Sequence, residues 1–123
     1  MRLLLDTHVV LWSVLGDPAL PARFREVLQD PDAEVFVSAA SVWEVAIKRA
    51  LGKLPVPHTV FDRAVEAGCT ALPVTWAHAR AVEALPFHHH DPFDRLLIAQ
   101  ARVEGLTLVS ADRVFARYDV ALL

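Results

Sequence analysis

The chain has 123 residues, 54% of them apolar and 22% charged, which suits one domain folded around a single hydrophobic core, with apolar residues to spare for a buried subunit contact. A formal net charge of −3 excludes a general basic field, so any nucleic-acid role needs a local basic patch or bound cations. Cys69 is the only cysteine, which excludes an internal disulfide and fits a reducing cytoplasm. No apolar run is long enough to span a bilayer, and the amino-terminal one, broken at Asp6, is too short for a signal-peptide core.

Taken in order, Arg2 to Leu5 reads as a short buried strand ending in Asp6-Thr7-His8. A helix follows from Val9, Val10 and Trp12 and stops at Gly16-Asp17-Pro18; a second spans Ala22 to Gln29, with Phe24, Val27 and Leu28 inward, before Asp30-Pro31-Asp32. Glu34 to Val37 is the second strand. It leads into a helix from Val42 to Leu51, with Val42, Val45, Ala46 and Arg49 on one face and Gly52 as its stop. After Pro55 and Pro57 come a helix over Val60 to Ala67, a third strand over Thr70 to Val74 and a helix from Trp76 to Ala84 capped by Thr75. A loop, Pro86-Phe87-His88-His89-His90, then enters the most informative stretch of the chain.

That stretch is Asp91-Pro92-Phe93-Asp94-Arg95-Leu96-Leu97-Ile98-Ala99-Gln100-Ala101. Asp91 suits an N-cap, Pro92 the first helical position, and Asp94 the third, at the positive end of the helix dipole. Leu96 to Ala99 is apolar on nearly every side, which predicts a buried helix. Gly105 ends it, Leu106 to Val109 makes a fourth strand, and Ser110-Ala111-Asp112 opens a last helix over Arg113 to Tyr118, before a terminal strand near Val120. Trp12, Trp43 and Trp76 are read as core residues, with exposed contact surfaces as the alternative.

Alternating strands and helices make the economical fold α/β: a short, mostly parallel sheet flanked by helices. Such sheets bind ligands beyond the carboxyl ends of their strands. Taken singly, each acid has an ordinary explanation: Asp6 and Asp112 as caps, Glu44 as a partner for Lys48 or the far end of a capping box with Ser41, Asp94 as the far end of one with Asp91. Together they are expected at one rim, where four carboxylates repel unless a cation or proton compensates. An all-oxygen set points to a hard divalent ion such as Mg²⁺, and Zn²⁺ is disfavoured because no Cys/His set accompanies the acids. Three consecutive histidines cannot easily aim three imidazoles at one ion; His90, beside Asp91, is kept as a candidate for substrate contact.

The ordered set Leu4-Leu5-Asp6-Thr7, Ser41-Val42-Trp43-Glu44, Asp91 to Ala101 and Leu108-Val109-Ser110-Ala111-Asp112 resembles PIN-domain ribonucleases, and more narrowly the VapC toxins of VapBC toxin–antitoxin pairs. Ser110 stands where many relatives carry Thr and keeps the hydroxyl. The resemblance covers essentially the whole chain and implies a single three-layer PIN-like nuclease domain over residues 1–123. It also implies a Mg²⁺- or Mn²⁺-dependent endoribonuclease with Asp6, Glu44, Asp94 and Asp112 as catalytic and metal-binding residues, Asp6 and Asp94 foremost. Thr7 and Ser110 would orient carboxylates or water, with Asp91 mainly a cap in support. Arg95, Arg113, Lys48 and Lys53 are candidates for RNA phosphate contacts, Arg95 first because it adjoins Asp94. Implied partners are RNA, a VapB-like antitoxin and a second copy of the chain in a homodimer, in the cytoplasm and with no membrane. The alternatives are a catalytically silent RNA-binding PIN-like module and a receiver-like phosphoacceptor domain.

Overall fold

A computed structural model describes all of residues 1–123. Its sheet comprises β1 (Arg2–Leu5), β2 (Glu34–Ser38), β3 (Thr70–Leu72) and β4 (Thr107–Val109), in the order β3-β2-β1-β4 with every pairing parallel. Leu5 lies opposite Val37 on one side and Val109 on the other. The helices are α1 (Thr7–Leu15), α2 (Ala22–Leu28), α3 (Ala39–Ala50), α4 (Val60–Glu66), α5 (Trp76–Ala81) and α6 (Pro92–Glu104), with 3₁₀ turns at Val82–Ala84 and Arg113–Arg117.

Parallel strands carry their connections on the sheet faces, so the central strand β1 is covered on both sides and its three leucines are buried. The two-residue period of β1 divides its leucines accordingly. Leu4 packs into a cluster with Leu97, Ile98, Leu108 and Phe115. Leu3 and Leu5 join Val9, Val10, Phe24, Val37, Ala64 and Val109 on the other side. The expected single core is therefore two cores sharing one sheet, the three-layer arrangement that covers both faces.

Strand order carries the functional information. From β1 the chain moves outward to β2 and β3, then returns across the sheet to β4 on the opposite side of β1. The switch point lies between β1 and β4, and a crevice opens there beyond the carboxyl ends of the strands. Asp6 follows β1 directly, and Asp112 follows β4 by three residues. Since α6 feeds β4 through a Gly105 cap at φ 67°, its amino terminus faces the same rim. The receiver-like alternative calls for another strand order.

Several local expectations need correction. Helix α3 starts at Ala39 because Ser38 caps it, accepting the Ala40 N–H at 2.9 Å. The extra turn leaves Ala40, Ser41, Glu44 and Val45 buried and puts Val42, Ala46 and Arg49 on the exposed side. The segment after Asp112 is a 3₁₀ turn, and the terminal strand is one bridge, Leu108 to Leu122. Trp43 and Trp76 are 60% and 85% exposed, so neither is a core residue; only Trp12 packs against the core, at its edge. No helix is long and apolar enough to cross a membrane.

Candidate metal centre

Asp6 caps α1 through Oδ1, which accepts the Val9 N–H at 2.9 Å. Its Oδ2 accepts a short hydrogen bond from the Ser110 hydroxyl. That hydroxyl also accepts the Asp112 N–H at 3.0 Å, so one side chain ties the ends of β1 and β4 together. Burial pushes the Asp6 carboxyl above the usual aspartate range, opposed by the Ser110 and Val9 hydrogen bonds; the charge of Asp112 adds to the rise.

Glu44 reaches the same region from α3. It is buried and fully used: Thr7 Oγ1 donates to Oε1 at 2.7 Å and Lys48 Nζ donates to Oε2 at 2.8 Å. The Thr7 hydroxyl is also 3.0 Å from Ser41 Oγ. Pairing with Lys48 at i+4 thus occurs, but on a buried carboxylate rather than a solvated face. Lys48 is half-exposed, and its ammonium is held above the usual lysine range by the Glu44 hydrogen bond against desolvation; the charges of Asp91 and Asp94 add to the rise.

At the mouth of α6, Asp91 Oδ1 accepts the N–H groups of Phe93 (2.8 Å) and Asp94 (3.1 Å), which makes it the expected cap. Asp94 does not complete a capping box. Its Oδ2 lies 2.7 Å from His89 Nε2. Burial pushes its carboxyl up to about 6; His89 opposes the rise, and the nearby Asp91 and Glu44 charges reinforce it. His89 Nε2 is also 3.9 Å from Asp112 Oδ2, while Asp112 Oδ1 accepts the Val114 N–H at 3.0 Å.

The tightest group of possible ligand atoms is therefore His89, Asp94 and Asp112, all within 4.8 Å of one another. Asp6 and Glu44 lie outside that group. They border it, Asp6 through Ser110 and the field of Asp112, Glu44 through its field on Asp94. Carboxylate and imidazole donors converging where charge is poorly solvated suit a divalent cation. One imidazole, that of His89, accompanies the acids, short of the Cys/His set that zinc calls for. His89 is the residue sequence reasoning missed, and its signal was its place two residues before the cap of a helix with Asp at its third position. The triplet divides: His88 packs edge-on against Tyr118 (5.2 Å) and His90 stacks on Phe87 (6.4 Å), outside the cluster.

Arg95 is the clearest correction. Successive helical residues point about 100° apart, so adjacency to Asp94 does not aim Arg95 at the same place. It is buried and donates to the carbonyls of Pro86 (2.8 Å), Leu85 (3.2 Å) and Val82 (3.3 Å), with its guanidinium 4.2 Å from the Phe87 ring centroid. It fastens the loop that carries His89 and is unavailable to RNA. Arg113 and Lys53 are exposed.

The domain thus brings Asp94, Asp112 and His89 together beyond the carboxyl ends of its parallel strands, with Asp6 and Glu44 bordering them, a donor set that suits a divalent cation. The PIN domain family model matches residues 3–121, and the chain belongs to that family. It is 43% identical over 58 residues to a Mycobacterium tuberculosis (strain ATCC 25618 / H37Rv) protein named Ribonuclease VapC16, a match covering 44% of this chain and 41% of that protein. The chain thus spans less than half the length of that relative. Among solved structures, it resembles VapBC2 of Rickettsia felis bound to a DNA fragment from its promoter (TM-score 0.72, 14% identity, covering 100% and 98% of the two chains). It also resembles VapBC-1 of nontypeable Haemophilus influenzae (TM-score 0.66, 18% identity, 100% and 97%) and FitAcB of Neisseria gonorrhoeae (TM-score 0.64, 23% identity, 98% and 96%). At these identities the structures establish the fold.

Proposed function

We propose that residues 1–123 form a single nuclease domain, a Mg²⁺- or Mn²⁺-dependent endoribonuclease acting as the toxin of a type II toxin–antitoxin pair. The observation that carries this reading is the convergence of Asp94 and Asp112 with His89 within 4.8 Å, bordered by buried Asp6 and Glu44, in a PIN-domain chain that is similar over part of its length to Ribonuclease VapC16. Asp94 and Asp112 would hold the ion, with Asp6 as a further oxygen donor beside them and Glu44 contributing negative charge from α3. When bound, a divalent ion supplies Lewis acidity: it acidifies a water and neutralises charge on the phosphate and the leaving oxygen.

The chain's own residues do the positioning. Ser110 fixes the rotamer of Asp6 and the backbone at Asp112. Thr7 and Lys48 hold the two oxygens of Glu44. Asp91 starts α6 so that Asp94 faces the crevice. Lys48 and Arg113 are the phosphate contacts of this reading, both at the acidic rim and both accessible. Single-stranded or looped RNA is the substrate class, since its bases are open to contact, and the cytoplasm is where such a toxin acts.

A VapB-like antitoxin and a second copy of the chain are the proposed protein partners. Val42, Trp43, Ile47 and Leu51 on and just after α3 are exposed apolar residues, a surface of the kind a subunit or antitoxin contact covers. The test is cleavage of a panel of structured RNAs with Mg²⁺, Mn²⁺ or EDTA, beside Asp6→Asn and Asp94→Asn. Metal-dependent cutting that both folded variants lose supports the reading. Binding of RNA without cutting under every metal condition would favour a silent RNA-binding module instead.

A further inference from the structure

His89 is built into the cluster rather than lying against it. Its backbone N–H donates to Tyr118 Oη at 2.8 Å, and its ring meets buried Phe115 edge-on, with centroids 6.1 Å apart. Phe115 lies in the 3₁₀ turn that Asp112 caps, and Tyr118 directly follows that turn. Arg95 clamps the loop from behind through the carbonyls of Leu85 and Pro86. The same elements that fix Asp112 and Asp94 therefore fix the imidazole, with Nε2 directed at both carboxylates (2.7 and 3.9 Å).

A ring paired only with part-buried Asp94 would not need the support that also holds Nε2 3.9 Å from Asp112. A ligand does need it: the donor atom must be held in place before the ion arrives. We infer that His89 is itself a ligand of the divalent metal, giving this centre one imidazole nitrogen among carboxylate oxygens and a preference for Mn²⁺ over Mg²⁺. Imidazole suits borderline transition ions, whereas Mg²⁺ favours oxygen donors and retains its waters. The inference rests on the metal-centre reading above and adds to it the nature of one donor and the identity of the favoured ion.

The test is pulsed electron paramagnetic resonance of the full chain loaded with Mn²⁺, where a directly bound imidazole modulates the echo through its ¹⁴N nucleus. Modulation is expected in the wild type, in His88→Ala and in His90→Ala, and is expected to vanish in His89→Ala and His89→Asp while Mn²⁺ stays bound. Calorimetry gives the second readout, free of RNA. His89→Asp offers an all-oxygen set and should lower the Mn²⁺-over-Mg²⁺ affinity ratio about tenfold, the lower end of what tuning groups contribute to metal sites, with Mg²⁺ binding retained. Should His89→Ala not fold, the aspartate variant and the wild-type spectrum still decide. Bound Mn²⁺ without ¹⁴N modulation in the wild type, or an unchanged ratio in His89→Asp, overturns the assignment and leaves the nuclease reading intact. Failure of the wild type to bind Mn²⁺ at all removes both.

Discussion

Replacing Asp94 by Asn should make the metal-free protein more stable, not less. Burial and the charges of Asp91 and Glu44 hold the Asp94 carboxyl near 6 against an ordinary value of 3.8. The folded state thus binds this proton more tightly than the unfolded chain. The group's contribution to stability is fully present below pH 3.8 and is lost as pH rises through about 6. The gap between the two values corresponds to roughly 3 kcal/mol at 1.36 kcal/mol for each pH unit. Asparagine never carries the charge and avoids the penalty. For a chain of 123 residues the variant should melt roughly 10 °C higher than wild type at pH 7.5 in EDTA, at about 4 °C for each kcal/mol. The difference should shrink steadily towards pH 4. Metal should then nearly close the gap: at a hundredfold excess over Kd a ligand adds about 2.7 kcal/mol to the state that binds it, and only the wild type benefits in full. Thermal melts from pH 4 to 7.5, with chelator and with Mn²⁺, measure all of this. Equal melting temperatures in EDTA at pH 7.5, or a less stable variant, would refute the electrostatic argument for the centre.

Arg95→Met should destabilise the fold by about 3 kcal/mol or more, because it strips donors from the buried Leu85 and part-buried Val82 carbonyls, and Arg95→Lys should recover only part of this; denaturant titration measures both. Ser110→Ala removes the hydrogen bond that lowers the Asp6 carboxyl, so metal affinity by calorimetry should fall most at mildly acid pH, where protons compete best for the ligand. Arg113→Ala should weaken RNA binding to the non-cleaving Asp94→Asn background without changing its melting temperature, and should flatten the salt dependence by roughly 0.7 in log–log slope.

The acids and the sheet were legible in the chain for a common reason. In a parallel α/β domain, strand ends and the starts of the following helices fall on one rim, so Asp6 and Asp112 announce themselves as polar residues closing apolar strands. Asp91-Pro92 fixes the start of α6 by capping chemistry alone. Side-chain direction was not legible. Arg95 shares a helix with Asp94 yet turns into a pocket of carbonyls made by Val82 to Pro86, and only the loop's path reveals that pocket. His89 escaped for the same reason, since the loop decides which of three like residues turns inward. The misplaced face of α3 has another cause: Glu44 is buried by its contacts with Thr7 and Lys48, a polar interior that a reading based on apolar periodicity assigns to solvent.

Circular RNA is the decisive substrate for an endoribonuclease, because a closed strand has no end to erode and can be opened only by an internal cut. Purified protein, free of any partner, would be incubated with a sequence-diverse pool of circles at an Mn²⁺ concentration that calorimetry shows to be saturating. Linear products are expected with Mn²⁺, none with EDTA and none from the folded Asp94→Asn variant. Circles that stay intact across the whole pool with the metal bound would contradict the endoribonuclease reading.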